Sequence, residues 1–402
     1  MAGSRAQRLA ARRAARRCAT GRGVLVAAAS AVVAVGTATG MLSALDDRHG
    51  SDEARPGLVS GSQSRSSPSA VPSASRPASP SASPSASASG DGKASASPSP
   101  RKASTGSTKA RPTTATRLYR YPASQVFDWV RDHPRDWRAD VIAARIADRP
   151  AAVWFADYTP TTIASRVRAV TSGGAAQGRV PVLVPYAIPD RDCGGASQGG
   201  APDLGAYDAW IDRFAAGIGS AEVVVVLEPD SIAQSDCLSD AGRADRFASL
   251  ARAGRVLKAA NPEARVYYDA GHSGWRPASE QAALLKQAGA ASAASSDGIF
   301  SNVSNFHTTS TEIAYDRRVL DALAGPPTLG AVIDTSRNGN GAPPDGEWCD
   351  PAGRKIGRPP TLSTGEAKID AYLWVKLPGE SDGCRGTPGT FSPSYAYDLA
   401  SP

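Results

Sequence analysis

From residue 118 onward the chain alternates two hydrophobic patterns. Short runs dominated by apolar, strand-favouring residues recur at 151–155, 180–185, 223–227, 265–268, 298–301, 329–333 and 371–375. Each is too short for a helix and reads as a buried strand. Between them apolar residues return every three or four positions: Leu204, Tyr207, Ile211, Phe214 and Ile218 form one stripe, and Leu250, Val256 and Leu257 belong to another. These stripes predict amphipathic helices packed on the strands. Strand and helix in alternation predict an α/β fold built on a parallel sheet, within a stretch of barrel size.

Before residue 117 that alternation is missing. Arg5, Arg8, Arg12, Arg13, Arg16, Arg17 and Arg22 precede the first acid, Asp46, and account for the whole formal net charge of +7. The rest of the chain is formally neutral, so a basic stripe for nucleic acid is not expected on the folded part. Residues 1–23 read as a basic cytoplasmic leader. Residues 24–45 carry no charge and read as a signal peptide or a signal anchor, with the C-terminal side exported. Small residues near Gly36 offer no strong cleavage site, and both outcomes stay open. Residues 46–116 are rich in Ser, Pro and Ala and read as a disordered linker. The expected folded domain is 117–402.

The residues just past each strand are more informative than the strands themselves. The exits carry Asp157; Tyr186 and Asp192; Glu228 and Asp230; Asp269 and His272; Asn302 and Asn305; Asp334 and Arg337; Lys376, Glu380 and Asp382. In a parallel barrel these ends face the active site. The run Val223 to Leu227 stops abruptly at Glu228-Pro229-Asp230, so Asp230 stands where chemistry is done. Asp230 also precedes Ser231-Ile232-Ala233-Gln234 and could cap a helix. A single exit Asp is most simply a turn or cap residue. Seven polar exits on one face exceed what capping explains.

Beyond the leader's Cys18, four cysteines remain. Cys193 and Cys237 lie past the neighbouring second and third strands, and Cys349 and Cys384 flank the seventh. Three pairings are possible, and pairing within each couple would staple loops on the exit face. Such bridges fit an exported domain. There is no Cys-x-x-Cys and no His-Glu-x-x-His, so neither a metal site nor a cofactor is expected, and without a paired serine and histidine acyl transfer is poorly served. Abundant carboxylates suit glycosidic hydrolysis, in which one acid protonates the leaving oxygen and another activates water or attacks the sugar. Trp154, Trp275 and Trp348 lie at or beyond strand exits, where indoles can stack on sugars or simply pack in the core.

Seven ordered blocks now resemble glycoside hydrolase family 6. They are Tyr186-Ala-Ile-Pro-Asp-Arg-Asp-Cys193, Leu227-Glu-Pro-Asp-Ser231, Tyr268-Asp-Ala-Gly-His-Ser-Gly-Trp275, Asn302-Val-Ser-Asn305, Asp334-Thr-Ser-Arg-Asn-Gly339, Trp348-Cys349 and Trp374-Val-Lys-Leu-Pro-Gly-Glu-Ser-Asp-Gly383. The resemblance implies a distorted seven-stranded parallel β/α barrel, a TIM-barrel variant, that hydrolyses β-1,4-glucan with inversion. It implies Asp230 as general acid, with Asp192 raising its pKa and, with Ser197, holding a water chain. Tyr186 would crowd the sugar at the scissile bond, and Asp382 is the candidate base. Asp157, Asp269, His272, Asn302, Asn305, Lys376 and Glu380 are expected to bind sugar hydroxyls, and Trp154, Trp275 and Trp348 to stack on glucose units. Ala187-Ile188 and Leu377 depart from the family's common residues.

Family members that act processively roof the cleft with a long loop between the final Asp-Gly and its cysteine. Here Cys384 comes directly after Asp382-Gly383. An open cleft and an endo-β-1,4-glucanase are therefore expected, extracellular, monomeric, and secreted or held to the membrane by residues 24–45. The competing readings are a non-catalytic surface-held glucan-binding protein, a hydrolase of another exported glucan, and a cellobiohydrolase acting from chain ends.

Overall fold

The computed structural model describes residues 117 to 402 apart from Ala196. The expected leader 1–23, apolar segment 24–45 and linker 46–116 lie outside the described residues. Among the described residues no helix is long and apolar enough to cross a membrane.

Seven strands form one sheet in chain order: β1 Val153–Phe155, β2 Val182–Pro185, β3 Val223–Leu227, β4 Ala264–Asp269, β5 Gly298–Ser301, β6 Gly330–Asp334 and β7 Ile369–Leu373. Every neighbouring pair is parallel. The unbroken apolar run of β3 reflects burial on both faces. Val223, Val225 and Leu227 point into the layer beneath the helices, while Val224 and Val226 join Val184, Phe300 and Val332 inside the barrel.

The barrel does not close by strand pairing. Past β7 the Trp374 carbonyl accepts from the Ala152 N–H (2.9 Å), and the Val375 carbonyl accepts from Trp154 Nε1 (2.7 Å). One backbone bond and one indole therefore bridge the seam between β1 and β7, which gives the distorted seven-stranded barrel.

The helices are α1 Gln125–Asp132, α2 Ala139–Ile142, α3 Ile163–Ala176, α4 Leu204–Ala215, α5 Asp240–Ala260, α6 Ala278–Gln287, α7 Thr309–Leu323 and α8 Pro393–Ala400. The stripe Tyr207, Ile211, Phe214 is the buried face of α4. Asp203, Ser239, Thr308 and Ser392 cap α4, α5, α7 and α8 through their side-chain oxygens. No helix starts at Asp230: residues 231–234 form turns and the next helix begins at Asp240. Between β6 and β7 a long loop, 335–368, replaces the usual crossover helix.

Candidate active site

The strand exits converge on a cleft of about 1750 Å³. It is lined by Trp154, Asp157, Tyr186, Asp192, Ser197, Asp230, His272, Trp275, Asn305, Trp348, Lys376, Glu380 and Asp382, all of them expected at the site. Two expected residues are absent from its walls. Asp269 is buried, and its carboxylate accepts the backbone N–H groups of Ile232 (3.0 Å), Ala233 (2.8 Å) and Gly271 (2.9 Å). Asn302 is also buried; it donates to the carbonyls of His307 and Asp334 and accepts the His307 N–H. Neither has a free edge for a sugar hydroxyl, so the expectation that they bind substrate is corrected: both position loops.

Asp269 belongs to a set of three buried carboxylates that tie neighbouring exits together. Glu228 accepts from Ala187 N–H (2.9 Å) and Ile188 N–H (3.0 Å), fixing the segment after β2. Asp334 accepts from Ser304, Ser336, Val375 and Lys376 N–H groups, fixing the exits of β5, β6 and β7. These bonds satisfy amides that sharp turns would otherwise leave unpaired. The turns are sharp indeed: Asp190, Asp192, Cys193, Glu228, Asp230, Asn302 and Ser304 all have positive φ without being glycine. Strain of this kind persists where the surroundings over-determine it, and it gathers at functional sites.

Asp230 sits half-buried at the cleft floor beyond β3. Burial, then the charges of Asp269 and Asp192, hold its carboxyl well above the ordinary range. Gln234 and Tyr186 lie against it and pull the other way. Asp192 is fixed in a tight turn. Both the N–H and the hydroxyl of Ser197 donate to its Oδ2 (2.9 and 3.0 Å), and a Cβ on Gly195 would meet that oxygen at 2.5 Å. The disulfide Cys193–Cys237 joins this turn to the segment after Asp230, with Cα atoms 5.6 Å apart.

Arg191 organises the same corner. Its guanidinium lies 4.2 Å from the Tyr186 ring centroid and donates to the carbonyls of Ala156 (2.9 Å), Ser197 (2.8 Å) and Tyr186. Tyr186 in turn meets Trp154 edge to face at 5.2 Å.

Beyond β7 Asp382 is enclosed by cations: Arg337 Nη1 at 2.6 Å and Lys376 Nζ at 3.0 Å. Its loop hangs on Asp350, which accepts the Ser381 hydroxyl (2.6 Å) and the N–H groups of Asp382 (2.7 Å), Cys384 (3.0 Å) and Arg385 (2.9 Å). Burial pushes Asp350 up, but these donors together outweigh it and hold its pKa below the ordinary value. The disulfide Cys349–Cys384 closes that loop. Burial, against the pull of Lys376, pushes Glu380 up to about 7. His272 stacks on His307 (4.3 Å, 25°) and meets Trp275 at 4.2 Å. Burial, then His307, push His272 down to about 3, so it is neutral at any ordinary pH.

Arg191, His307, Gln125, Arg337 and Asp350 had no expected role at the site. Arg191 and Arg337 stand inside recognisable blocks and carry the only signal of the five. Gln125, on α1, reaches the cleft by bonding Glu380 Oε1 (2.9 Å) from 255 positions away, a contact without a local signature. Among the described residues no group of three His, Cys, Asp or Glu is placed to hold a metal ion.

Known proteins are similar to this chain in sequence and in fold. Endoglucanase 1 of Streptomyces sp. (strain KSM-9) is 53% identical over 284 residues, covering 70% of this chain and 77% of that protein. Endoglucanase A of Thermobispora bispora is 50% identical over 284 residues, covering 70% of this chain and 61% of that protein. Among solved structures, the endoglucanase Cel6 from Mycobacterium tuberculosis, in complex with methyl-cellobiosyl-4-deoxy-4-thio-β-D-cellobioside, is 40% identical with a TM-score of 0.66, covering 72% of this chain and 98% of that one. The profile of the glycosyl hydrolases family 6 matches residues 108–398, and on that match and these relatives the chain belongs to this family.

Proposed function

We propose that the protein is an endo-β-1,4-glucanase that cleaves internal bonds of cellulose or a soluble β-glucan with inversion of configuration. The observation that carries this reading is Asp230: a carboxyl group with a strongly raised pKa on the floor of a long cleft, beside a second carboxylate and a tyrosine. A group so placed is protonated when substrate arrives and can give its proton to the glycosidic oxygen as the bond breaks. Tyr186, packed between Arg191 and Trp154, presents a rigid edge against which the reacting sugar distorts.

The second half of the reaction needs a base for water. Both oxygens of Asp382 are already engaged, Oδ2 by Arg337 and Oδ1 by Lys376. Asp192 meets only neutral donors in Ser197. We therefore assign water activation to a chain running over Ser197 and Asp192, with Asp382 orienting Lys376 and its loop.

Internal cleavage is favoured because Trp275 and Trp348, both lining the cleft, remain 38% and 55% exposed. No long insertion separates Gly383 from Cys384. The two disulfides fit an oxidising, extracellular setting. Secretion or retention at the membrane through residues 24–45, and action as a monomer, belong to the same proposal. The test compares viscosity loss with reducing-end release on carboxymethylcellulose. A steep early fall in viscosity per bond cleaved is expected; proportional loss would favour action from chain ends, and no release would leave a binding protein.

A further inference from the structure

We infer a second glucan-binding platform outside the cleft, centred on Trp137; the inference rests on the proposed function. Among the described residues three large apolar side chains are exposed: Trp275, Trp348 and Trp137. The first two line the cleft. Trp137 does not, yet at 72% it is the most exposed of the three.

An isolated surface tryptophan is ordinary; this one sits in a built setting. Tyr397 of α8 meets it edge-on at 4.5 Å and 69°. The Arg138 guanidinium lies 5.8 Å from its centroid and 5.5 Å from that of Trp129. Arg138 cannot wander: Asp136 accepts from it at 2.9 and 2.7 Å, and Ser394 at 2.8 Å. The indole is thus held in place before any ligand arrives, which lowers the ordering cost of binding.

The platform is also continuous with the cleft. Phe391 and Gln125 line one of its walls. Phe391 packs on Trp129 at 5.9 Å, and Trp129 shares Arg138 with Trp137. A ring-by-ring path therefore leads from the cleft to the exposed indole. A β-linked glucan matches it chemically, because each pyranose offers an apolar C–H face for stacking and a rim of hydroxyls for groups such as Asp136 and Ser394. A membrane or a protein partner would call for a wider contiguous apolar patch.

The test uses the full chain. Partition onto insoluble amorphous cellulose is measured for Asp230→Ala, which blocks degradation, and for Asp230→Ala with Trp137→Ala. Turnover of cellotetraose, a soluble substrate, is measured for wild type and Trp137→Ala. Loss of one stacking contact predicts binding weakened about fivefold, with kcat/KM on cellotetraose within about twofold of wild type. Trp137→Phe, which keeps a ring, should retain most of the binding. Equal partition of the two Asp230→Ala proteins overturns the platform while leaving the enzyme reading intact. A wild type inert on cellotetraose overturns the enzyme reading instead.

Discussion

Replacing Asp350 with asparagine removes a single charge and leaves the shape of the side chain unchanged. In the native loop Oδ2 accepts from the Ser381 hydroxyl and the Cys384 and Arg385 N–H groups, and Oδ1 accepts from the Asp382 N–H. An amide can present its oxygen to the first three, but its NH₂ then faces the Asp382 N–H. One orphaned donor costs about 1–3 kcal/mol, and three charge-assisted bonds reduced to neutral ones lose about a further 1 kcal/mol together. Asp350→Asn should therefore lose about 2–4 kcal/mol at pH 7, read by urea unfolding. The depressed pKa sets the sign of the pH dependence. The stabilisation is present above the unfolded value, about 4, and is lost as pH falls through the folded one, so the gap between wild type and variant narrows in acid. Because this loop carries Asp382 and its contacts to Arg337 and Lys376, kcat should fall more than KM rises. A variant within about 0.5 kcal/mol of wild type at pH 7, or a gap that does not shrink in acid, refutes the reasoning.

The same geometry predicts three further outcomes. Asp192→Asn removes the smallest of the three causes that raise Asp230, so the basic limb of kcat/KM should move to lower pH; an unmoved limb contradicts the charge coupling. Glu312 and Asp316 lie four residues apart on α7, both buried, each with an oxygen lacking a partner; burial and then Glu312 hold Asp316 well above its ordinary pKa. That carboxyl's stability contribution is complete below about 4 and is lost as pH rises, so Asp316→Asn should raise the melting temperature at alkaline pH and change it little in acid; an unchanged pH slope would count against the shared burial. Proton NMR of the first product from cellotetraose should show the α-anomer accumulating before mutarotation, whereas the β-anomer excludes inversion.

Much of the fold was legible in the chain, for identifiable reasons. β3 and β5 match their expected limits; in β3 the apolar run, buried throughout, ends where the first polar residue, Glu228, appears. β7 runs from Ile369 to Leu373, two positions earlier than the apolar run suggests. Trp374 and Val375 follow it, but they lie at the open seam and find single contacts in place of a ladder. Both disulfides join the expected couples. The exit positions of Asp269 and Asn302 put them at the correct end of the barrel without saying which way they face. Asp269 turns into the wall towards three amides, and Asp230 turns towards the cleft on a backbone of positive φ, a difference that strand position alone does not encode. Gln125 shows the other limit, since its place in the site depends on a contact between the two ends of the domain.

The central claim is that Asp230 delivers the proton to the leaving oxygen, and leaving-group dependence tests it most directly. Turnover of Asp230→Ala should be compared with wild type on cellotetraose, whose sugar leaving group needs protonation, and on 2,4-dinitrophenyl β-cellobioside, whose phenolate does not. The account predicts a loss of about 10²–10⁴ on cellotetraose and less than about tenfold on the aryl substrate. Equal losses on both, or near-normal cleavage of cellotetraose, would contradict it.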